Sequence, residues 1–374
     1  MRILCIIDSF GSGGAQKQMV TLARGLKRRG HDIHFFIYFP QFTFFRKEVE
    51  EFAIPIHEFN KGRGFSLKLI RRLIGLIRNN RYDIVISFLD NPNIYAELSC
   101  LSLSGTKLIV SERSSHLAEK GFIIALIKRN LHRLSSHIVT NSSNHREWLE
   151  KRFSWLKRKV TTIYNGLDVG LYQGLPNPLL EKKDLKLIAV GRIGIEKNVT
   201  GLIRALQIIQ HDYGWVPSVS WVGHRGAASQ KYCQQVDELL DSLPEVKKNW
   251  KWLGERLDVP ILLEEHHALI HPSFFEGLPN AICEALAAGR PVLASNVCDN
   301  GILVTHGERG FLFDPKSPES IANAISRLLA LKGDEWVRIS KASRQYAETS
   351  LSIDRLVTEY EYLFTRLINR TCEQ

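Results

Sequence analysis

The first half of the chain alternates short apolar runs with stretches of helical periodicity. Residues 3–7 form an apolar run that predicts a buried strand at 2–8, and a glycine-rich turn at 11–14 leads into a helix that ends near residue 29. Residues 65–80 show the spacing of an amphipathic helix, with an apolar stripe bordered by lysine and arginine. Further strands are predicted at 33–39, 54–59, 83–87, 107–111 and 137–140. Strands that alternate with helices indicate a parallel, doubly wound sheet.

A segment rich in glycine and proline, residues 165–184, interrupts this pattern, which then restarts. Strands are predicted at 185–190, 218–222, 250–253, 268–271 and 291–295, and helices at 199–210, 230–240, around Glu284, and at 317–331, 334–349 and 352–369. Because 374 residues exceed the size that one core usually serves, we expect two domains, residues 1–170 and 171–350, followed by a C-terminal segment, 351–374. Open parallel sheets bind ligands at the carboxyl ends of their strands, so we expect two similar α/β domains that face each other across a cleft.

Composition narrows the class of protein. A charged fraction of 24% fits a soluble globular chain, and six scattered cysteines without a CxxC pair favour a reducing compartment. The first apolar run is too short for a signal peptide, and the run at 122–127 is too short to span a bilayer. We therefore expect a cytoplasmic protein, or one that lies on a membrane from its cytosolic side.

The positive charge is confined to the first half. Residues 1–180 contain 27 Lys and Arg against 14 Asp and Glu, a net charge of +13, whereas residues 181–374 contain 23 against 25, a net charge of −2. A positive electrostatic field restricted to the first half of the chain indicates that this half binds an anionic partner. Nucleic acid, an anionic membrane surface and an acidic substrate all satisfy this condition.

The most informative stretch is residues 275–295, where two carboxylates, Glu276 and Glu284, stand eight positions apart across a Gly-Leu-Pro turn. Pro279 suits the first turn of a helix, and Gly289 suits its end. A strand, a turn and a helix N-terminus form an anion site, and we expect Glu284 in the first turn and Glu276 in the loop before it. A site that holds an anion beside several hydroxyls is typical of the binding of a sugar nucleotide. The alternative is that Glu284 only complements the helix dipole and Glu276 is a solvated loop residue.

Two cations follow the first strand of the second half. Arg192 comes directly after Gly191, and Lys197 follows in the same turn just before a predicted helix. Two cations at the carboxyl end of a strand suit a diphosphate. Any single pair of this kind is more often a solvated surface pair. Gly223 ends the next strand, where the absence of a side chain would let the backbone approach a ligand. A plain turn explains this glycine equally well.

Several known sites are not supported by the sequence. The turn at 11–14 lacks the third glycine of a dinucleotide-binding fingerprint, since Gln16 stands in its place. There is no P-loop and no Asp-x-Asp pair for Mg²⁺ or Mn²⁺, so a diphosphate leaving group would be neutralised by protein cations and helix ends. His266, His267 and His271 lack the spacing of a metal site and are interpreted as structural.

Another polar group follows a strand of the basic half. Glu112, Arg113 and His116 come after the strand predicted at 107–111, a position that would face the cleft. They are side chains that position or polarise substrates, although an ordinary surface loop explains them equally well.

Taken in order, these segments resemble the retaining glycosyltransferases of family 4, which have the GT-B fold of two facing Rossmann-like domains. The resemblance covers nearly the whole chain. It rests on Gly13-Gly14-Ala15, Asn165-Gly166-Leu167-Asp168, Gly191-Arg192 with Lys197-Asn198, and above all Glu276-Gly-Leu-Pro-Asn with Glu284-Ala-Leu-Ala-Ala-Gly.

The resemblance implies roles for individual residues. Arg192 and Lys197 would bind the donor diphosphate, and Glu284 the ribose hydroxyls. Glu276, with the backbone at Gly277 and Leu278, would hold the sugar. Gly13 and Gly14 would approach the donor phosphate and the acceptor from the other domain, to which the C-terminal helix would cross back.

The chain departs from the family at one position. Many relatives have a histidine directly after the strand that ends here near Ser111, whereas this chain has Glu112 and Arg113, and His116 only later. Any of these three residues could take the place of that histidine on the acceptor side.

The resulting prediction is a metal-independent retaining hexosyltransferase that requires no cofactor and uses Arg192, Lys197 and Glu276 as catalytic residues. It would move a hexose or N-acetylhexosamine from a UDP-sugar to a lipid-linked saccharide in bacterial O-antigen, lipopolysaccharide or capsule assembly. The basic first domain would lie on an anionic membrane surface, at the cytoplasmic face of the inner membrane.

Two alternatives remain. The closer one is a GT-B enzyme with a GDP-mannose-type donor, a soluble acceptor or UDP-sugar epimerase activity. The more distant one is a basic nucleic-acid binding protein, but no basic stripe interleaved with aromatic residues supports it, and we expect no nucleic-acid partner.

Overall fold

The computed structural model describes residues 1–101, 105–113, 122–178, 181–225 and 230–369. The chain divides into two compact units, one made of Met1–Gly166 with Ser352–Gln374 and the other of Leu167–Leu351. The division at Gly166 falls a few residues before the position 170 expected from the sequence. Each unit has its own hydrophobic core, which in the first unit lies on both faces of the central sheet.

The first unit contains a seven-stranded parallel sheet with the order β3-β2-β1-β4-β5-β6-β7. Its strands are β1 (Arg2–Ile6), β2 (Asp32–Ile37), β3 (Ile56–Glu58), β4 (Ile84–Phe88), β5 (Lys107–Glu112), β6 (His137–Thr140) and β7 (Val160–Thr162). Its helices are α1 (Gly14–Arg28), α2 (Arg46–Glu51), α3 (Leu67–Asn80), α4 (Asp90–Cys100), α5 (Phe122–Leu131), α6 (Ser143–Arg152) and the C-terminal helix (Ile353–Asn369).

The C-terminal helix packs closely against α1 within this unit. A β-carbon added at Gly25 of α1 would lie 2.4 Å from Cγ2 of Val357, so only glycine permits this approach. The helix contributes Tyr360 and Phe364 to the core, where both side chains are fully buried. Burial of its apolar face stabilises the helix and fixes it to the sheet.

The second unit contains a six-stranded parallel sheet with the order β10-β9-β8-β11-β12-β13. Its strands are β8 (Lys186–Val190), β9 (Ser218–Val222), β10 (Trp250–Gly254), β11 (Ala268–His271), β12 (Val292–Ser295) and β13 (Gly310–Phe313). Its helices are α7 (Val199–Tyr213), α8 (Gln230–Asp241), α9 (Pro244–Lys248), α10 (Val259–Glu265), α11 (Asn280–Ala287), α12 (Asn300–Val304), α13 (Pro318–Ala330) and α14 (Gly333–Ser350).

The predicted architecture of two Rossmann-like α/β domains is confirmed. The sequence prediction missed two short strands, β7 of three residues and β13 of four. In the part of the chain that is described, none of the helices has the length and apolar character to cross a bilayer. In each unit, loops at the carboxyl ends of the strands hold the residues that the sequence analysis selected.

Candidate active site

The best-defined polar group of the second unit surrounds Glu276, in the loop after β11. Lys197 lies on a short 3-10 helix, Ile195–Lys197, after β8, and its ammonium group forms an ion pair with Oε1 of Glu276. His271, the last residue of β11, places Nε2 3.0 Å from the same oxygen. Because β8 and β11 are neighbours in the sheet, their carboxyl ends bring these three side chains together.

The electrostatics of this group keep Glu276 ionised. Burial alone would raise the pKa of Glu276, but the charge of Lys197 and the hydrogen bond from His271 outweigh it and hold the pKa far below its ordinary value. Burial lowers the pKa of His271 despite the attraction of Glu276, so the imidazole is neutral and donates through Nε2. Within the described residues, no protein group hydrogen-bonds Oε2 of Glu276. This carboxylate therefore keeps one oxygen for a ligand hydroxyl.

The two cations predicted to act together are in different environments. The side chain of Lys197 is 16% exposed, whereas that of Arg192 is 63% exposed and its Nε donates to Oε1 of Glu196 at 2.7 Å. Lys197 also packs against Gly191, where an added β-carbon would lie 3.1 Å from its Cε. The structure therefore makes Lys197 the fixed cation of the group and Arg192 a surface cation with its own partner.

Gly223, at the end of β9, is required by backbone packing. It has a φ of 149°, and an added β-carbon would lie 2.1 Å from the carbonyl oxygen of Gly191. This contact joins the ends of β8 and β9, which explains the glycine without a ligand.

Glu284 lies deeper than expected. Helix α11 begins at Asn280, because Pro279 stays extended (φ −74°, ψ 115°) as the residue before the helix. Glu284 is the fifth helical residue and is buried, so its predicted place in the first turn is wrong. The predicted end of the helix is correct, since Gly289 follows it with a φ of 65°. Burial and the charge of Glu284 both raise the pKa of Tyr172, which indicates that the phenol lies near this carboxylate.

Most of the predicted donor residues thus gather at one edge of the second sheet. Gly277 and the buried Leu278 connect Glu276 to α11. Gly13 and Gly14 belong to the first unit, where they form the turn between β1 and α1. A β-carbon at Gly13 would lie 2.2 Å from Oε1 of Gln16, so this turn is tightly filled.

Glu112, the last residue of β5, lies in a closed ionic cluster of the first unit. One of its oxygens accepts from Arg129 Nη2 and His145 Nε2 and the other from His132 Nε2, each at 2.7 Å. His132 also bonds Oε1 of Glu97 at 2.5 Å. Burial would lower the pKa of His132, but its two carboxylate partners raise it to about 9. Burial would raise the pKa of Glu112, and its partners instead hold it well below its ordinary value.

Arg113 connects three parts of the first unit. Its Nη1 donates to Oδ1 of Asn165 at 2.6 Å, its Nη2 reaches the Tyr360 hydroxyl at 3.4 Å, and its guanidinium lies 3.8 Å from the centre of the Phe88 ring. Burial lowers the pKa of Arg113. The third acceptor-side candidate, His116, lies outside the described residues. Glu112 and Arg113 are therefore adjacent in sequence but engaged by different partners.

The sequence analysis missed His271, Arg129, His132 and His145. The sequence interpretation of His271 as structural rests on its lack of metal-site spacing, and it does not anticipate the hydrogen bond to Glu276. Over the residues for which coordinates are described, no three His, Cys, Asp or Glu side chains are grouped so that they could hold a metal ion.

Two Rossmann-like units, with a cation and carboxylate group at the strand edge of the second, are the elements of the GT-B fold. The family described as Glycosyltransferase Family 4 matches residues 12–171, and the family described as Glycosyl transferases group 1 matches residues 175–346. The chain therefore belongs to the family 4 glycosyltransferases, and it is a glycosyltransferase.

Its relatives include enzymes that act on lipid-linked saccharides. The Escherichia coli UDP-Gal:alpha-D-GlcNAc-diphosphoundecaprenol alpha-1,3-galactosyltransferase is 26% identical over 300 residues, 75% of each chain. The Campylobacter jejuni N-acetylgalactosamine-N,N'-diacetylbacillosaminyl-diphospho-undecaprenol 4-alpha-N-acetylgalactosaminyltransferase is 26% identical over 92% of this chain and 93% of its own. The solved structure of Anabaena Alr3699/HepE in complex with UDP and glucose has a TM-score of 0.84 and 19% identity, and covers 98% of this chain and 99% of its own.

Proposed function

We propose that this enzyme transfers a hexose or N-acetylhexosamine from a UDP-sugar to a lipid-linked saccharide, with retention of anomeric configuration. The observation on which the proposal rests is the group of Lys197, His271 and Glu276. It joins a fixed cation to an ionised carboxylate with an available oxygen, at the strand edge where parallel sheets bind nucleotides. A cation suits the diphosphate of a donor, and a carboxylate suits the hydroxyls of its sugar.

In the proposed reaction, the acceptor hydroxyl attacks the anomeric carbon on the face from which the diphosphate leaves. The bond between the anomeric carbon and the phosphate oxygen breaks, the bond to the acceptor oxygen forms, and the acceptor proton passes to the departing phosphate. Lys197 and Arg192, with helix N-termini, would stabilise the charge that develops on that phosphate. Glu276 would hold the sugar and Glu284 the ribose, and neither would act as a nucleophile.

The identity of the donor is supported by the relatives. The names of the Escherichia coli galactosyltransferase and of the HepE complex specify UDP-Gal and UDP respectively. A GDP-mannose-type donor is the second candidate, because an Escherichia coli O-antigen chain mannosyltransferase B is 29% identical over 44% of this chain. A role in O-antigen or related surface-glycan assembly follows from the same set of relatives.

A peripheral position on an anionic membrane, at the cytoplasmic face, fits the first unit. Phe65 and Leu67, before and at the start of α3, are 61% and 63% exposed. Lys68, Arg71 and Arg72 of α3 are also exposed, and each basic residue near an anionic surface contributes about 1 kcal/mol. Flotation with phosphatidylglycerol vesicles at low salt tests this part, and protein that stays at the bottom of the gradient would exclude it.

The donor is tested by thermal unfolding with a panel of UDP- and GDP-sugars. A ligand at 100 times its dissociation constant stabilises the folded state by about 2.7 kcal/mol, so the true donor should raise the melting temperature. Transfer to GlcNAc-diphosphoundecaprenol, with and without EDTA, then tests acceptor class and metal independence. No stabilisation by any UDP-sugar would contradict the proposed donor, and loss of transfer in EDTA would contradict metal independence.

A further inference from the structure

Lys61, a lysine of the first unit, has no role in the proposed donor site. Lys61 follows β3, at the carboxyl edge of the first sheet, and its backbone N–H donates to the carbonyl of Tyr38 at 3.2 Å. Its ammonium nitrogen lies 5.9 Å from the centre of the Tyr38 ring, 5.5 Å from Phe39 and 5.7 Å from Tyr95. We call these four residues the Lys61 cage. Cations over aromatic faces are attracted to the rings, but an aromatic ring does not neutralise the charge.

The cage has no carboxylate partner for its cation. Among the side chains that the structure describes, none forms a salt bridge with Lys61. Asp8, the acidic residue whose charge acts on Tyr38, instead accepts hydrogen bonds at Oδ1 from Gln16 and Ser9. Lys61 is itself half-buried, so water screens its charge only in part. Such a cation is complementary to an anionic ligand.

A second, independent observation comes from Tyr38. Its side chain is 1% exposed, and its hydroxyl is buried without a hydrogen-bond partner in the described part of the chain. Buried hydroxyls are almost always hydrogen-bonded, and an exception calls for an absent partner. A phosphate accepts hydrogen bonds from an ammonium and from a phenol, the two groups of the cage that have no acceptor among the described residues.

The surface beside the cage is apolar. Phe65 stacks on Tyr95 with ring centres 5.3 Å apart and an interplanar angle of 16°, yet it remains 61% exposed. Leu67, at the start of α3, is 63% exposed. The Tyr95 hydroxyl accepts from the backbone N–H of Ser66, which fixes this loop against the cage. A cation next to exposed apolar side chains suits a ligand that joins an anion to a hydrocarbon chain.

We propose that the Lys61 cage binds the diphosphate of a prenyl-diphosphate-linked acceptor, and that Phe65 and Leu67 contact the first units of its prenyl chain. The proposal rests on the proposed function, and it names the part of the acceptor that the first unit recognises. In this proposal Lys61 increases the affinity of the enzyme for the acceptor and takes no part in breaking or forming bonds at the donor sugar.

The test compares Lys61→Met with Lys47→Met. Both remove one positive charge from the first unit, but Lys47 is an exposed residue of α2, 90% accessible. Isothermal titration of the full chain with farnesyl diphosphate should show affinity lowered about tenfold by Lys61→Met and unchanged by Lys47→Met. Inorganic pyrophosphate should bind more weakly but with the same dependence on Lys61. Vesicles of phosphatidylglycerol should bind both variants equally.

Tyr38→Phe supplies a variant that does not disturb packing. Removal of an unpartnered buried hydroxyl should leave the melting temperature unchanged or raise it, whereas affinity for farnesyl diphosphate should fall about threefold. With GlcNAc-diphosphoundecaprenol as acceptor, Lys61→Met should raise the acceptor KM about tenfold and leave kcat and donor hydrolysis within about twofold.

The outcomes separate this inference from the proposed function. No binding of farnesyl diphosphate to the unsubstituted protein, or equal binding by Lys61→Met and Lys47→Met, would overturn the role of the cage. A loss confined to phosphatidylglycerol vesicles would assign Lys61 to a membrane surface and would equally overturn it. The donor proposal fails instead if no UDP-sugar stabilises the protein, a result that leaves the farnesyl diphosphate titration intact.

Discussion

Glu276, in the loop after β11, and Glu112, the last residue of β5, both lie at the carboxyl edge of a parallel sheet, yet their surroundings differ. Glu276 is 16% exposed, is paired with one lysine and one neutral histidine, and keeps one oxygen without a protein partner among the described residues. Glu112 is 3% exposed, and both of its oxygens are occupied by groups from α5, α6 and the segment between them. The protein thus occupies both oxygens of Glu112 and only one of Glu276, among the residues described.

The largest expected effect is on stability, at Glu112. Glu112→Leu should lower the free energy of unfolding by about 3–5 kcal/mol, because Arg129 and the charged His132 would be left buried without their carboxylate. Denaturant unfolding of the purified variant measures this change. Glu50→Leu, at an exposed position of α2, is the control and should change stability by about 0.5 kcal/mol or less. A loss at Glu112 no larger than at Glu50 would show that the cluster does not stabilise the unit.

The next effect is on activity, at Glu276. Glu276→Ala should lower donor turnover about 100-fold, equivalent to about 2.7 kcal/mol of transition-state stabilisation. The hydroxyls of the sugar would lose a hydrogen-bond acceptor, and Lys197 would lose its ion-pair partner. Turnover of the UDP-sugar selected by thermal shift measures it. Glu238→Ala, an exposed carboxylate of α8, should turn over like the unsubstituted enzyme. Unchanged turnover in Glu276→Ala would exclude this residue from the donor site.

A third prediction concerns the pH dependence of stability, which should differ between His132 in the Glu112 cluster and His267 in the second unit. The pKa of His132 is raised from 6.5 to about 9, so its contribution to stability is complete below pH 6.5 and is lost as the pH rises through 9. The pKa of His267, in the second unit, is lowered to about 4, mainly by burial, so its contribution is complete above pH 6.5 and declines as the pH falls toward 4.

Denaturant unfolding between pH 5 and 9.5 measures both slopes. A His132→Gln variant should lose the decline on the alkaline side, and a His267→Gln variant should lose the decline on the acid side, each slope being about 1.4 kcal/mol per pH unit at most. An alkaline decline that persists in His132→Gln would assign it to another group.

The fold was predictable from the sequence because apolar runs and helical periodicity are both patterns among residues close together in the chain. Alternating apolar runs and helical periods marked nearly every long element, and the Glu276 segment marked the donor edge of the second sheet. The partners of Glu112 were not predictable, because Glu97, Arg129, His132 and His145 come from separate elements and meet only in the folded unit. The same reason hid the Lys61 cage, whose members follow three different strands.

The smallest expected effect returns to the two cations that the sequence treated as equivalent. Arg192→Ala should lower donor turnover less than about tenfold, because its exposed guanidinium is already shared with Glu196 and is screened by salt. Lys197→Met should lower turnover more, since Lys197 is held against Gly191 and Glu276 in a half-buried position where its charge is screened less. Turnover of both variants at low and moderate ionic strength measures the difference. If Arg192→Ala lost as much as Lys197→Met at every salt concentration, Arg192 would have to leave Glu196 when the donor binds, and the difference seen here would belong only to the unliganded enzyme.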